Sequence, residues 1–177
     1  MKIYDKEFIP FIDAGKIQQK VIELGNTISE DYKSKKPLFI GVLNGSFMFA
    51  ADLFKALHIP AEISFIKVSS YLDLASTGDV KQLLGLNEPI FKRNIILLED
   101  IVDSGKTIST LIETLTDLGP SSIEIATLLL KPDALERKVQ VKYVGFEIPN
   151  EFVVGYGLDY NGLGRNLNEL YQLKPEN

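Results

Sequence analysis

The stretch "IILLEDIVDSGKTIST" (residues 95–110) joins a buried strand, a group of acids and the start of a helix. Its aliphatic residues lead directly into Glu99 and Asp100, and Asp103 then precedes Ser104-Gly105-Lys106-Thr107. In parallel α/β sheets, ligands bind beyond the carboxyl ends of the strands, where these acids are expected. Backbone N–H groups at the start of a helix can surround an anion. The stretch therefore predicts carboxylates beside an anion-binding loop.

Apolar runs and helical stripes alternate on both sides of this stretch. The continuous apolar run at 37–43 is typical of a strand buried on both faces. Further strands are predicted at 61–71, 94–100, 121–130 and 139–148, and helices at 13–33 with Asp13 as N-cap, at 46–60, and from Ile108 to Gly119. This alternation predicts an α/β fold with a mainly parallel, twisted sheet, helices on both faces and right-handed crossovers.

The length of 177 residues fits a single domain, 1–177, without internal repeats. Its core spans about 37–148. Residues 1–12 and about 149–177 do not continue the alternation, so we expect them to form a small hood over one edge of the sheet. The long connection 72–93 predicts a functional lid or a β-ribbon excursion.

The composition restricts the chemistry that the chain can perform. It has no cysteine and one histidine, His58, so catalysis has to use carboxylates, lysines, hydroxyls or backbone groups. The net charge of −5 disfavours a nucleic-acid surface. No apolar run reaches the roughly 18 residues of a membrane span, and the N-terminus has no signal-length run, so we expect a cytoplasmic protein without a membrane partner.

Two familiar phosphate-binding motifs fail on spacing. A Walker A loop ending in Gly105-Lys106-Thr107 needs glycine where Asp100 stands, and a dinucleotide fingerprint from Gly155 needs glycine where Tyr160 stands. Solvated acids at a strand end and a plain helix start remain an alternative, because both are common. The apolar strand before and the amphipathic helix after favour a functional site. A ribose phosphate with bound magnesium would satisfy both the acids and the loop.

The segment "IILLEDIVDSGKT" (95–107) resembles the phosphoribosyl-pyrophosphate (PRPP) motif of type I phosphoribosyltransferases, specifically of their hypoxanthine-guanine branch. Other segments resemble that family in the same order: "VLNGSFMF" (42–49), "SSYLDLASTGD" (69–79), "LLLKPDA" (128–134) and "FVVGYGLDYNGLGRNLNELY" (152–171). The resemblance implies the type I phosphoribosyltransferase fold and a purine salvage reaction. In that reaction N9 of hypoxanthine or guanine displaces pyrophosphate from PRPP.

The resemblance also assigns roles around the ribose. Glu99 and Asp100 match the acids that hold the ribose hydroxyls and Mg²⁺, and Asp103 matches a general acid/base facing purine N7. The PRPP motif matches a 5′-phosphate loop, with Lys106 contributing its backbone: Asp103, Ser104, Gly105, Lys106 and Thr107. An Asx-turn cap is the structural alternative for Asp103, and a solvated side chain for Lys106.

A second loop matches the pyrophosphate loop of the family, which often has a cis peptide between its first two residues: Leu43, Asn44, Gly45 and Ser46. Many relatives have lysine or arginine at the position of Asn44, so a cationic contribution from that side chain is in doubt. Arg165 matches a pyrophosphate-binding arginine, and Asp159 matches a ligand of a second magnesium ion. A surface charge and a turn acid are the respective alternatives.

The purine side of the site is assigned to Lys131, Phe152, Val153 and Asp159. Phe152 would stack on the ring unless it is a core residue, Val153 would offer backbone groups, and Lys131 would donate to O6. A buried ammonium donor favours 6-oxopurines over adenine. Preference among hypoxanthine, guanine and xanthine does not follow from the sequence.

Ser70 and Tyr71 match a lid that closes over the site, and the resemblance implies a homodimer or homotetramer. A PRPP-responsive regulator that binds nucleic acid is an alternative of another class, but it predicts a basic face. A transferase for another base is a third hypothesis.

Overall fold

The computed structural model describes residues 1–68, 83–84, 86 and 88–175. In chain order the strands are β1 (Lys2–Ile3), β2 (Lys6–Ile12), β3 (Leu38–Leu43), β4 (Glu62–Val68), β5 (Leu83–Leu84), β6 (Asn94–Val102), β7 (Ser122–Leu130), β8 (Tyr143–Glu147), β9 (Val153–Val154) and β10 (Leu170–Leu173). The helices are α1 (Ala14–Asp31), α2 (Phe47–Lys55) and α3 (Lys106–Thr116), and a 3₁₀ turn spans Pro132–Ala134.

A six-stranded sheet in the order β5-β4-β3-β6-β7-β8 forms the centre of the described chain. The strands from β4 to β8 in this order pair in parallel, and β5 pairs antiparallel with β4. Strand β6 lies in the middle, and its residues 95–98 are fully buried. The predicted α/β fold with a mainly parallel sheet is confirmed.

Helices cover both faces of this sheet. The apolar stripe of α1, Ile17, Val21, Leu24 and Ile28, packs with α2 on one face. Ile108, Leu111 and Leu115 of α3 pack on the other face. The predicted N-cap of α1 is confirmed, because the Asp13 carboxylate accepts a hydrogen bond from the Lys16 N–H at 2.9 Å.

Several predicted boundaries were wrong. Helix α3 spans Lys106–Thr116, two residues earlier at its start and three at its end than predicted. Helix α2 ends at Lys55, not near Pro60, because the His58 N–H donates to Ser29 Oγ of α1 at 3.0 Å. Strand β8 begins at Tyr143, four residues after its predicted start at 139, because Val139 and Val141 pack against the core on the α3 side. Strand β6 continues to Val102 because 101 and 102 keep pairing with β7, so Glu99 and Asp100 lie within the strand.

The terminal segments pair with each other in a four-stranded antiparallel sheet, β1-β2-β10-β9. Residues of this sheet and of its connections pack into the same core cluster as α1 and α2: Ile12, Val153, Tyr156, Leu158 and Leu170. The small sheet therefore lies on the α1/α2 side of the central sheet. We call it the hood.

The fold brings the carboxyl ends of three neighbouring strands together. Leu43 ends β3, Val102 ends β6, and Lys131 directly follows β7, whose order in the sheet is β3-β6-β7. No helix among the described residues is long and apolar enough to cross a membrane.

Candidate active site

The neighbouring acids Glu99 and Asp100 point to opposite faces of the sheet, as successive residues of a strand do. Glu99 continues the row of Ile95 and Leu97, which packs on the α3 side. Asp100 continues the row of Ile96 and Leu98, which packs on the α1/α2 side. The sequence predicts that the two carboxylates lie side by side, whereas the structure places them on opposite faces of β6.

Glu99 faces the loop 103–107, which we call the cradle. The two share a cavity of about 90 Å³ lined by Glu99, Ile101, Val102, Asp103, Ser104, Gly105, Thr107 and Ile108. Glu99 is 7% exposed, and no hydrogen bond or ion pair reaches its carboxylate from the described part of the chain. Burial, and then the charge of Asp100, raise the pKa of Glu99 well above its ordinary value. The unpaired carboxylate is poised to accept hydroxyls or a cation.

The backbone of the cradle is held from outside by residues after the 3₁₀ turn. The Ser104 carbonyl accepts hydrogen bonds from the N–H groups of Glu136 and Arg137, at 3.0 and 3.2 Å. Gly105 has a φ of 76°, in the left-handed region that favours glycine, and α3 begins at the next residue. The loop therefore presents N–H groups at the positive end of a helix dipole, as anion binding requires.

Asp103 and Lys131 form an ion pair at the mouth of the cradle. Lys131 Nζ lies 2.7 Å from Asp103 Oδ2 and 3.4 Å from Asn150 Oδ1. The Lys131 side chain is 8% exposed, whereas that of Asp103 is 51% exposed. The predicted acid/base and the predicted O6 donor are thus in direct contact. Asp103 does not act as an Asx-turn cap here, because Gly105 takes the N-cap position.

The loop 43–46, called here the pyrophosphate loop, faces Asp100 on the other side of β6. Its Leu43–Asn44 peptide bond is cis, as the family resemblance implies. A Cβ on Gly45 would lie 1.5 Å from Asp100 Oδ2, so only glycine fits. The Ser46 hydroxyl donates to the Val42 carbonyl at 2.7 Å and the Ser46 carbonyl accepts from the Ala50 N–H at 2.8 Å, so Ser46 fixes the end of the loop. Asn44 is exposed.

Arg165 and Asp159 complete this side of the site. Arg165 Nη2 lies 2.6 Å from Asp159 Oδ1, and Nη1 donates to the Gly157 carbonyl at 2.7 Å. Burial raises the pKa of Asp100; hydrogen bonds from backbone N–H groups and the charge of Arg165 lower it, and Asp159 raises it. The charges of Arg165 and Asp159 therefore act on the Asp100 carboxylate.

The carboxylates suit magnesium, although no group of three acids or imidazoles close enough to hold a metal alone is found in the described residues. Magnesium is usually bound by one or two carboxylates together with substrate phosphates and water. Asp100 near Asp159 on one side of β6, and unpaired Glu99 on the other, fit that pattern.

The predicted purine residues meet the hood. Phe152 is 44% exposed, and its ring lies edge-on to Tyr160, with centroids 5.8 Å apart. The Leu173 N–H donates to the Phe152 carbonyl at 2.8 Å, so the 152–173 pair is the hydrogen-bonded one. Pairs alternate in an antiparallel ladder, so the N–H and C=O of Val153 point away from β10, toward the free edge of β9. A purine edge could bind there.

Sequence reasoning missed Gly157 and Asn150. A Cβ on Gly157 would lie 2.0 Å from the Gly45 carbonyl, so the two backbones are in contact. The run Gly155-Tyr156-Gly157 signalled unusual backbone, but not its partner. Asn150 contacts Lys131 and had no signal. The predicted lid residues Ser70 and Tyr71 lie outside the described residues.

Residues 12–161 match the model of the phosphoribosyl transferase domain. The chain belongs to this phosphoribosyltransferase family. Among curated relatives, a hypoxanthine-guanine phosphoribosyltransferase from Mycobacterium bovis is 42% identical over 171 residues, covering 93% of this chain and 85% of the relative. A hypoxanthine phosphoribosyltransferase from Buchnera aphidicola is 46% identical over 144 residues, covering 80% and 81%.

Solved phosphoribosyltransferase structures share this fold. A hypoxanthine-guanine phosphoribosyltransferase from Bacillus anthracis aligns with a TM-score of 0.86 at 36% identity, covering 96% of this chain and 99% of that one. A hypoxanthine phosphoribosyltransferase from Trypanosoma cruzi aligns with a TM-score of 0.85 at 32% identity, covering 94% and 97%. The predicted family and fold are confirmed.

Proposed function

We propose that this phosphoribosyltransferase is a purine salvage enzyme that transfers the 5-phosphoribosyl group of PRPP to N9 of hypoxanthine and guanine. The products are IMP or GMP and pyrophosphate. One observation carries the proposal: the cradle and the pyrophosphate loop lie on the two sides of the carboxyl end of β6, with the Asp103–Lys131 pair beside them. The curated relatives with hypoxanthine-guanine names support the same reaction.

The two loops would divide PRPP between them. The 5′-phosphate would bind N–H groups of Ser104, Gly105, Lys106 and Thr107, while pyrophosphate would bind backbone of the 43–46 loop and Arg165. The ribose hydroxyls would then lie over Glu99 and Asp100. A planar guanidinium suits a pyrophosphate. Arg165 would exchange its contact with Asp159 for one with the leaving group, or keep both.

Mg²⁺ fits this arrangement as the cofactor. Glu99 and Asp100 would hold one ion at the ribose and Asp159 a second beside pyrophosphate, each together with substrate oxygens, and the ions would supply charge neutralisation for the departing pyrophosphate. The buried carboxylate of Glu99 would gain a positive partner that the described protein does not provide.

The purine would lie between the hood and the Asp103–Lys131 pair. Phe152 would stack on the ring, Val153 would offer its outward backbone groups, and Asp159 would border the ring near pyrophosphate. Asp103 would take or return the proton at N7 as C1′ bonds to N9. Lys131 would donate to O6, which adenine replaces with an amino group, so adenine would be rejected.

A homodimer or homotetramer, a cytoplasmic location, and the absence of nucleic-acid and membrane partners stay predictions. So does the organisation as one domain, 1–177, with a core of about 37–148 and a hood from 1–12 and about 149–177.

The decisive experiment incubates the protein with PRPP, Mg²⁺ and one base at a time, following nucleotide formation by absorbance. We expect product with hypoxanthine and guanine, none with adenine, and none after Mg²⁺ is chelated by EDTA. Xanthine is included to settle the preference at C2. Failure to turn over any of the bases would contradict the proposed function, and turnover of adenine would contradict the role of Lys131.

A further inference from the structure

Tyr156 and Asp52 form a partly buried hydrogen bond between segments far apart in the sequence. Tyr156 is 1% exposed, and its hydroxyl donates to Asp52 Oδ2 of α2 at 2.6 Å. Gln18 of α1 donates to the same oxygen at 2.9 Å, and Lys55 Nζ lies 2.6 Å from Asp52 Oδ1. A hydrogen bond to an ionised acceptor is among the stronger kinds in proteins.

The groups are held in the states that this bond needs. Burial raises the pKa of Asp52, but hydrogen bonds from Lys55, Tyr156 and Gln18 outweigh burial, so the pKa lies below its ordinary value. Burial and the bond to Asp52 both raise the pKa of Tyr156. At neutral pH a neutral hydroxyl therefore donates to a carboxylate.

Each partner of this hydrogen bond is connected through the backbone to the pyrophosphate side of the site. On one side, α2 begins at Phe47, directly after the pyrophosphate loop, and the Ala50 N–H donates to the Ser46 carbonyl at 2.8 Å. On the other side, Tyr156 precedes Gly157, whose N–H donates to the Arg165 carbonyl at 3.0 Å.

The two sides touch a second time at the site itself. The Gly157 backbone lies against the Gly45 carbonyl, as the 2.0 Å approach of an added Cβ shows. The Gly157 carbonyl also accepts from Arg165 Nη1 at 2.7 Å. The Tyr156–Asp52 bond thus closes a ring that runs through α2, the pyrophosphate loop, Gly157 and back to Tyr156.

We propose that Tyr156 and Asp52 are positioning residues that hold the pyrophosphate loop in register with Arg165, and so set the affinity for the pyrophosphate group. Neither side chain touches the substrate. The inference rests on the proposed function and names residues that act on one of its two substrates. Loosening the ring should weaken binding of pyrophosphate and PRPP, and leave the purine contacts in place.

A matched pair elsewhere in the molecule separates this role from general stabilisation. Tyr143 is 3% exposed, and its hydroxyl donates to Asp31 Oδ2 at 2.7 Å, with Lys142 Nζ 3.2 Å from the same oxygen. Tyr143 begins β8 and Asp31 ends α1, so this pair lies at the amino end of the parallel strands, opposite the site. Tyr143→Phe therefore removes an equivalent bond away from the ligand.

The experiment measures KM for pyrophosphate in the reverse reaction with IMP, and KM for PRPP and hypoxanthine in the forward reaction. In Tyr156→Phe we expect KM for pyrophosphate and for PRPP to rise about five- to tenfold, with KM for hypoxanthine within about twofold of wild type. Tyr143→Phe should lower Tm by about as much as Tyr156→Phe does, because it removes an equivalent hydrogen bond. It should change each KM by less than about twofold. Asp52→Asn keeps an acceptor and should preserve most of the affinity, whereas Asp52→Ala should match Tyr156→Phe.

The inference is overturned if the two Tyr→Phe variants change KM equally, or if KM for hypoxanthine rises as much as that for pyrophosphate. Should Tyr156→Phe fail to fold, Asp52→Ala carries the same test, because the Asp52 side chain is 18% exposed on α2. Wild-type turnover with unaltered KM values in Asp52→Ala refutes this inference alone. Absence of wild-type turnover refutes the proposed function instead.

Discussion

In the proposed function the cradle and the pyrophosphate loop each bind an anion through backbone groups, but they are assembled differently. The cradle and the carboxylate beneath it come from one continuous segment, residues 99–107. The pyrophosphate loop, residues 43–46, is completed by Gly157 and Arg165, more than 100 positions later in the chain. A local site tolerates change in its surroundings, whereas a site made from distant segments depends on how closely they approach.

The two loops also differ in how much free space surrounds them. The cradle is fixed by the start of α3 and by two hydrogen bonds to the Ser104 carbonyl, and it retains a cavity. The pyrophosphate loop has no spare room: Gly45 is pressed against Asp100 on one side and Gly157 on the other. We therefore expect small added groups to harm the second loop most.

The largest effect is expected from Gly45→Ala. Its Cβ would lie 1.5 Å from Asp100 Oδ2, so either the loop or the buried carboxylate has to move. A misplacement of about 1 Å can cost about 100-fold in rate, so we expect kcat/KM for PRPP to fall by more than about 100-fold. Steady-state kinetics at varied PRPP measure this. Gly15→Ala, in the first turn of α1, is the matched control, and a Gly45→Ala enzyme near wild-type activity would contradict the tight packing.

Asp103→Asn tests the chemistry beside the cradle. Positioned proton transfer is typically worth about 10²–10⁴-fold, so we expect kcat to fall by about 100-fold while KM for PRPP changes little. Separate titrations of PRPP and hypoxanthine distinguish the two parameters. Asp117→Asn, an exposed position at the end of α3, serves as control. A large loss of PRPP affinity in Asp103→Asn would mean that this residue belongs to phosphate binding instead.

Glu99→Gln tests the carboxylate beneath the cradle through stability. The folded pKa of Glu99 lies above its ordinary value of 4.5, so the folded protein binds more protons than the unfolded chain between those two values. The free energy of unfolding therefore falls as pH rises through that window. Without ligand, Glu99→Gln should melt a few degrees higher than wild type at pH 8, since about 1 kcal/mol shifts Tm by about 2–4 °C at this size.

The higher Tm of Glu99→Gln should disappear below pH 4.5, because Glu99 of the wild type is then protonated in both the folded and the unfolded protein. With Mg²⁺ and PRPP present the variant should melt below wild type, because the ligands stabilise the folded variant less than the folded wild type. Thermal unfolding across pH, with and without ligand, measures both. Glu113→Gln, on the exposed side of α3, is the control, and a variant that melts lower than wild type at pH 8 would refute the account.

The smallest effect is expected from Lys106→Ala. Its ammonium pairs with Glu136, and both side chains are more than half exposed, at 57% and 58%. Exposed pairs of this kind contribute about 0–1 kcal/mol, and in the proposed function Lys106 binds phosphate through its backbone N–H. KM for PRPP should change by less than about twofold at physiological salt. A tenfold rise would show that the side chain itself binds phosphate.

The same contrast explains what could be predicted from the sequence. The strand, acids and helix of residues 94–116 are adjacent in the chain, so the cradle and its face of the sheet could be predicted. The family resemblance located Gly45, Arg165 and Asp159, but not the ion pair between the last two or the role of Gly157. The ion pair forms within the turns of residues 155–165, and the Gly157 contact forms where those turns meet the 43–46 loop; the sequence carries no local pattern for either.

The placement of the acids Glu99 and Asp100 could have been derived from strand alternation alone. A strand that ends at Asp100 instead predicts that both carboxylates lie together beside the 103–107 loop. Tertiary pairing with β7 lengthened the strand by two residues, to Val102. The same kind of pairing and packing moved the predicted ends of α2 and β8.

Because β6 separates the two loops, the site can distinguish ligands by their length. Ribose 5-phosphate alone could fill the cradle, and free pyrophosphate alone could fill the 43–46 loop. In the proposed function only a molecule that reaches over the strand engages both at once, so intact PRPP would gain two anchors where its fragments would gain one. After the bond at C1′ breaks, neither product retains that span, which favours departure of the products over their recombination.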